Sequence, residues 1–85
     1  MNKDCIAVNI RPFVLKQDIF VYQDRTCIRT VKCKIDDIEK IITLLSDKYN
    51  INKINLIEPT SMYSSKIKEN LLTQYADKNL EITIW

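Results

Sequence analysis

Residues 27–57, CIRTVKCKIDDIEKIITLLSDKYNINKINLI, decide the fold because their pattern changes twice. Residues 27–35 read as a strand. From Asp36 onward apolar residues recur at spacings of three and four, which predicts an amphipathic helix that ends near Asn50. The apolar positions of this helix are Ile38, Ile41, Ile42, Leu45 and Tyr49. Residues 54–57 form a short apolar run that predicts another strand, so the stretch indicates a strand–helix–strand crossover.

The ends of this helix carry recognisable signals. Asp36 is followed three residues later by Glu39, a capping-box spacing that predicts Asp36 as the N-cap. Asn50 stands where a helix usually ends in a left-handed residue, and Asn79 stands in the same place after the second helix. Asparagine is the best substitute for glycine there, so we expect both to adopt positive φ.

The residues before this stretch predict two further strands. Residues 5–13 alternate between apolar and polar, with Pro12 as the stop. Residues 19–22 are β-branched or aromatic, which favours a strand. The connection at residues 23–26 lacks the Asn-Gly or Asp-Gly pair of a type I′ turn. We therefore expect a type I turn or a longer loop.

The residues after it predict a second helix and a last strand. Thr60 or Ser61 is the expected N-cap. The apolar stripe consists of Tyr63, Ile67, Leu71 and Tyr75, with Met62 and Leu72 beside it. Residues 80–85 alternate again and predict a strand at a sheet edge, where no proline or lysine blocks pairing with another chain.

The element order β-β-β-α-β-α-β predicts one α/β domain over residues 1–85, close to the α+β class. Three meandering strands and two right-handed crossovers give a mixed five-stranded sheet of order 3-2-1-4-5, with both helices on one face. This order of elements resembles the core of the ribonuclease H-like fold.

The resemblance implies a specific test. Nucleases of that fold hold two divalent metals with three or four carboxylates, one of them in the middle of the first strand. Asn9 stands near that position here, and Asp4 at the strand's start is the only acid close by. Glu58 matches a carboxylate at the end of the fourth strand, while helix capping explains Asp36. The sequence therefore predicts no metal site and no cofactor.

Composition removes most short catalytic motifs, because the chain has no glycine and no histidine. Phosphate-binding loops are built from glycine, and histidine is the usual base near neutral pH. Fourteen isoleucines, ten lysines and seven asparagines indicate AT-rich coding, which explains part of the missing glycine. In length and composition the chain resembles small proteins of prophages in low-GC bacteria. The net charge of +2 is far below that of a strongly basic nucleic-acid binder.

Three cysteines without C-x-x-C spacing indicate neither a disulfide framework nor a zinc site. Cys27 and Cys33 would lie on one strand, too far apart to bond. Strand cysteines are usually small core residues, although Lys32 and Lys34 raise the alternative that Cys33 has a lowered pKa. No stretch approaches the length of a membrane span, so we expect a reduced, cytoplasmic protein without a membrane contact.

The helix-free side of the sheet is the candidate binding surface. If Ile19 and Val21 face the helices, their neighbours on the strand face away from them. The candidate binding residues are Arg11, Phe20, Tyr22, Lys32, Lys34 and Trp85, with Asn9, Asn55 and Thr83 on the same side. Aromatic residues interleaved with cations suit a protein interface, a single-stranded nucleic-acid platform, or a merely solvated face.

These observations predict a small non-enzymatic interaction protein encoded by a phage or mobile element. It would bind and occlude a host protein of defence or regulation through the open sheet face or an edge. A homodimer through the last strand is a further possibility. The alternatives are a divergent metal-dependent nuclease using Glu58 with Asp4 or Asp36, and a single-stranded nucleic-acid-binding module.

Overall fold

Five strands and two helices follow one another in the order that the sequence predicts. The computed structural model describes residues 4–11, 14–58, 62–76 and 80–84. The strands are β1 (Asp4–Asn9), β2 (Gln17–Gln23), β3 (Thr26–Cys33), β4 (Ile51–Ile57) and β5 (Glu81–Ile84). The helices are α1 (Ile38–Lys48), preceded by a 3-10 turn at Ile35–Asp37, and α2 (Met62–Gln74). The sheet has the order β3-β2-β1-β4-β5, which confirms the predicted topology.

The directions of the strands follow from the connections. β1 pairs antiparallel with β2, and β2 pairs antiparallel with β3. β1 pairs parallel with β4, and β4 with β5, because α1 and α2 each cross over between parallel strands. The mixed sheet is therefore antiparallel in its first half and parallel in its second.

One face of the sheet packs against both helices. Alternate residues of β1 and β2 are buried, as the period of two in their sequences requires. These residues and their counterparts on β4 and β5 form one core cluster with apolar residues of both helices. The strands contribute Ile6, Val8, Ile19, Val21, Cys33, Ile54, Leu56 and Ile82, and the helices Ile38, Ile42, Leu45, Ile67, Leu71 and, just past the end of α2, Tyr75. Both helices therefore lie on one side, as predicted.

Several strand limits differ from the sequence prediction. β1 ends at Asn9 rather than at residue 13, and Pro12 and Phe13 lie outside the described residues. β2 and β4 each begin earlier than predicted, at Gln17 and Ile51. These first residues are polar or lie beside polar residues, so their pattern resembles a loop although they pair within the sheet.

The turn between β2 and β3 is tighter than predicted. Gln23 pairs with Thr26, which leaves Asp24 and Arg25 as a two-residue loop. Asp24 has a φ of 56° and is the only non-glycine residue with positive φ in the described part of the chain. A type I turn has negative φ at both central residues and a type I′ turn has positive φ at both. The positive φ of Asp24 excludes a type I turn, and the two-residue length excludes a longer loop. The expectation of a type I turn or longer loop is therefore wrong.

Both predicted caps of α1 are also wrong. Asp36 lies inside the 3-10 turn, and the N-cap of α1 is Asp37, which makes no side-chain capping hydrogen bond. At the other end Asn50 does not have positive φ, because the chain leaves the helix through extended backbone at Tyr49. The Asn50 carbonyl accepts a hydrogen bond from the backbone N–H of Asp4 at 3.0 Å, so this residue leads directly into the sheet.

Residues that flank the second helix lie partly outside the described part of the chain. Thr60, Ser61 and Asn79, which the sequence assigns to the ends of α2, lie outside the described residues. Among the helices that the structure does describe, none is both long and apolar enough to cross a membrane.

Candidate functional site

The side of the sheet opposite the helices presents a surface that we call the outer face. Its residues alternate with the core residues and are aligned by the strand register. They are Cys5, Ala7 and Asn9 on β1, Asp18, Phe20 and Tyr22 on β2, Cys27, Thr30 and Lys32 on β3, Lys53, Asn55 and Ile57 on β4, and Glu81 and Thr83 on β5. The core cluster draws both described helices to the other side, so no described helix covers the outer face.

The middle of the outer face is apolar and aromatic. The rings of Phe20 and Tyr22 are tilted by 45° with their centroids 6.4 Å apart, a separation at which aromatic pairs attract. Ala7 lies opposite Phe20 on β1, and Tyr22 lies between Cys5 and Cys27 on its two neighbouring strands. Both rings are half-buried. This centre therefore presents ring surface without any helix over it.

Ion pairs and hydrogen bonds surround this centre. The Arg11 guanidinium donates to the Asp18 carboxylate at 2.7 Å. On the far side Lys53 Nζ lies 3.7 Å from Glu81 Oε2. Both pairs are partly exposed, so each contributes at most about 1 kcal/mol and mainly fixes the position of its side chains.

A short hydrogen bond also links the last two strands on this face. The Thr83 hydroxyl donates to Asn55 Oδ1 at 2.6 Å. These two residues pair in register on β4 and β5. The bond satisfies polar atoms across the parallel pair and holds that part of the outer face in one arrangement.

The structure brings together four of the six predicted binding residues. Phe20, Tyr22 and Lys32 lie on the outer face, and the ion pair with Asp18 brings the Arg11 side chain to it. The other two do not join this group. Lys34 is exposed but follows the last residue of β3, and Trp85 lies outside the described residues.

Sequence reasoning missed Gln17, which holds the connection between β1 and β2. Its side chain is fully buried, and its Nε2 donates to the carbonyls of Arg11 and Val14, each at 2.9 Å. Its Oε1 accepts the backbone N–H of Arg11. A glutamine next to a loop resembles any solvated polar residue in sequence, so only the folded chain reveals this role. By fixing the Arg11 backbone, Gln17 helps to place the Arg11–Asp18 pair.

Glu58, the candidate nuclease carboxylate, caps the second helix. It is 6% exposed, and its two oxygens accept the backbone N–H groups of Tyr63 at 3.3 Å and Ser64 at 2.9 Å. The first N–H groups of a helix have no partner within the helix, and a carboxylate also opposes the positive end of the helix dipole. The structure thus gives Glu58 a structural role that its position before a proline did not indicate.

The other candidate carboxylates lie away from Glu58 or do not cluster with it. Asp4 pairs with Ile51 at the start of β4, whereas Glu58 follows the end of that strand. The seven residue steps from Ile51 to Glu58, at about 3.3 Å each, separate the two acidic residues by roughly 20 Å, too far for their carboxylates to share a metal ion. Within the described residues, no three His, Cys, Asp or Glu side chains form a group that could hold a metal, Asp36 included.

Cys33 does not show the activation that its flanking lysines suggest. Burial raises the pKa of Cys33 above its ordinary value, and the carboxylate of Asp37 raises it further. Burial also raises the pKa of Cys5, with a smaller opposing effect from Lys53. The alternative of a lowered pKa at Cys33 is therefore wrong, because burial and the Asp37 carboxylate both act to raise it.

A shallow cleft of about 280 Å³ lies between the helices. Two hydrogen bonds link the helices here, from Gln74 Nε2 to Thr43 Oγ1 at 2.8 Å and from Asn70 Nδ2 to Glu39 Oε2 at 3.2 Å. The cleft is lined by the helix surfaces rather than by the sheet, so it is separate from the outer face.

Comparison with known proteins supports the fold and gives no family. No family model matches the sequence, and no curated protein matches it. A solved protein of Bacteroides thetaiotaomicron VPI-5482, described as having an actin-like ATPase fold and unknown function, superposes with a TM-score of 0.67 at 14% identity. The match covers 99% of this chain and 33% of that protein, so the chain spans about a third of its length. This likeness shows the fold alone. The actin-like ATPase fold shares its topology with the ribonuclease H-like superfamily, in agreement with the resemblance in element order.

Proposed function

We propose that this chain is a protein-binding module that engages a partner protein through the outer face of its sheet. The observation that carries this proposal is an apolar, aromatic centre framed by polar side chains on the helix-free side. Protein interfaces have this anatomy, with a core rich in tyrosine and other aromatic residues and a rim of polar groups. Phe20 and Tyr22 are the anchor residues of this surface.

The charge of the outer face favours a protein over a nucleic acid. Arg11 is neutralised by Asp18 and Lys53 by Glu81, which leaves Lys32 as the cation outside the described ion pairs of this face. Nucleic-acid binding depends on several cations that are free to contact phosphates. One such cation supports only weak phosphate binding, so stacking on the two rings would lack its usual electrostatic complement.

The proposed partner is a host protein of defence or regulation, and the proposed source is a phage or mobile element. This part of the proposal is supported by composition alone, in particular the isoleucine, lysine and asparagine content typical of AT-rich genomes. Binding would act by occlusion, because a sheet surface that lacks catalytic groups can still block the surface that it covers.

The test uses one change on the outer face and the same change on the helix layer. Tyr22→Ala removes an anchor ring, and Tyr63→Ala removes a tyrosine of α2 that is 37% exposed on the other side of the molecule. Each tagged variant captures proteins from a lysate of cells that carry the gene, and affinity for the identified partner is then measured by calorimetry. We expect Tyr22→Ala to weaken binding by about tenfold or more, since anchor residues contribute about 2 kcal/mol or more.

Three results would contradict the proposal. Equal loss in Tyr22→Ala and Tyr63→Ala would show that the outer face is not the contact. Light scattering that finds a homodimer broken by Tyr22→Ala, with no other protein captured, would make a second copy the partner. Magnesium-dependent cleavage of nucleic acid that disappears in Glu58→Gln would assign the chain to the nuclease class instead.

A further inference from the structure

The outer edge of β3 is a second surface, next to the outer face. β3 lies at one end of the sheet order, and no described residue pairs with its free side. An edge strand presents a row of unpaired backbone N–H and C=O groups, which can pair with another extended chain. Most of β3 is exposed, in contrast to the buried positions of β1 and β2. This edge is therefore available for strand addition.

The charge along this edge has one sign. Residues 25–35 carry four cations and no acidic residue, although the whole chain has a net charge of only +2. The cations are Arg25, Arg29, Lys32 and Lys34, and all four are exposed. The ion pairs found among the described residues involve Arg11 and Lys53, not these four. Even Asp18, which lies opposite Lys32 in register, bonds to Arg11 instead.

The register of β3 places these cations on both sides of the edge. Arg29 pairs opposite Val21, on the helix side of the sheet, and Lys32 pairs opposite Asp18, on the outer face. Between Arg29 and Cys33 the pairing with β2 is regular, whereas a bulge interrupts it near Ile28. The regular segment of five residues is long enough to align an added strand, with a cation on each side of it.

The same charges select against a second copy of this strand. Like charges on facing strands repel each other, and lysines on an edge are a common protection against self-association. A segment that carries glutamate or aspartate turns this repulsion into attraction. The edge thus favours acidic extended segments over basic ones.

We propose that the free edge of β3 binds an acidic, extended segment of a partner protein by strand addition. The inference rests on the proposed function, because an occupant of the edge continues the contact made on the outer face. It adds the mode of recognition: backbone hydrogen bonds supply pairing, and Arg29 and Lys32 supply selectivity for acidic side chains. The occupant lies on the far side of β3 from Phe20 and Tyr22 and extends the binding area beyond the outer face.

The probe is a capped eight-residue peptide in which glutamate alternates with valine. Two control peptides replace glutamate by lysine or carry N-methyl groups on alternate backbone nitrogens. Binding to the full chain is followed by amide NMR and hydrogen exchange. We expect the acidic peptide to slow exchange of β3 amides, and both controls to bind at least about tenfold more weakly, because one has the wrong charge and the other lacks backbone donors.

Matched variants test the role of the cations. The double variant Arg29→Glu with Lys32→Glu reverses the charge at both positions on the edge. Lys40→Glu makes the same kind of charge reversal at an exposed position on α1. We expect the edge variant to lose the acidic peptide and to gain the lysine peptide, and Lys40→Glu to change either affinity by less than about twofold. The gain for the lysine peptide cannot result from unfolding.

Several results would overturn the inference. Equal binding of the N-methylated peptide, or protection confined to other strands, would show that the edge is not paired. Displacement of the peptide by oligothymidylate, with an affinity that falls steeply with salt, would assign the cations to nucleic acid. Failure of peptide binding while Tyr22→Ala still abolishes partner binding would reject the edge and leave the proposed function intact. Peptide binding without any effect of Tyr22→Ala on the partner would reject the proposed function of the outer face and leave strand addition at the edge intact.

Discussion

At the scale of single residues, buried polar side chains organise the ends of the strands. Gln17 and Glu58 each use a side chain to satisfy backbone groups that have no partner in a helix or strand. An unsatisfied buried donor or acceptor is costly, so these residues stabilise the connections beside them. Neither role is visible in the sequence. The spacing from Glu58 to the start of α2 matches no standard capping pattern, and Gln17 resembles any solvated polar residue next to a loop.

Glu58→Ala is expected to lower the free energy of unfolding by about 1–2 kcal/mol, since it removes the acceptor of two helix N–H groups. Urea denaturation followed by circular dichroism measures this loss. Glu69→Ala, at an exposed position on the same helix, is the control and should change stability by less than about 0.5 kcal/mol. Equal effects of the two substitutions would reject the capping role.

The three thiols should differ in their reaction with iodoacetamide. The thiolate is the reactive form, and a raised pKa keeps Cys5 and Cys33 protonated to higher pH. At pH 8 we expect Cys27, which is exposed, to be alkylated first and the buried Cys33 last, as measured by mass spectrometry. The rates at Cys5 and Cys33 should keep rising with pH beyond the ordinary thiol range. Rapid alkylation of Cys33 in the folded protein would contradict the burial.

At the scale of elements, the spacing of apolar residues predicted the strands and helices well, whereas the capping signals at the ends of α1 did not predict how the helix begins and ends. The alternation of β1 and the three-and-four spacing of α1 both come from the burial of one face, and both were confirmed. The predicted caps at Asp36 and Asn50 were wrong because other local structures satisfy the same backbone groups, a 3-10 turn at one end and the sheet at the other. Local signals compete with tertiary contacts that sequence alone does not show.

Asp24, in the turn between β2 and β3, is a position where glycine would stabilise the fold. Its φ of 56° lies in the left-handed region, which is unfavourable for a residue with a Cβ atom. Asp24→Gly is expected to raise the free energy of unfolding by about 0.5 kcal/mol, the left-handed penalty being partly offset by greater freedom of the unfolded chain. Arg25→Gly has only the second effect and should lower stability by about 0.5–1 kcal/mol. Thermal unfolding of the two variants would reveal opposite shifts in Tm.

At the scale of the whole molecule, the order of the sheet followed from general rules, whereas the pairing of charges on the outer face did not. Right-handed crossovers leave few arrangements for three meandering strands and two helices, so the topology was predictable. The ion pair between Arg11 and Asp18 and the free charge of Lys32 depend on register. Register is set by packing and turns together, and the alternation of residues along each strand does not supply it.

A single core predicts cooperative unfolding. Apolar residues of all five strands and both helices form one cluster, so neither half of the sheet has a core of its own. We expect urea transitions followed by far-ultraviolet circular dichroism, which reports helices, and by near-ultraviolet circular dichroism, which reports tyrosines, to coincide. Separate midpoints would show that the helices and the surroundings of the tyrosines do not unfold in one cooperative step.

The central place of β1 has a consequence for synthesis on the ribosome. Its antiparallel neighbour β2 follows within a few residues, but its parallel neighbour β4 begins only at Ile51, after α1. The nascent chain can therefore form the β1–β2–β3 meander early, while one side of β1 stays unpaired until the crossover emerges. During that interval one edge of β1 is open, and the speed of translation through α1 and β4 sets how long it remains so.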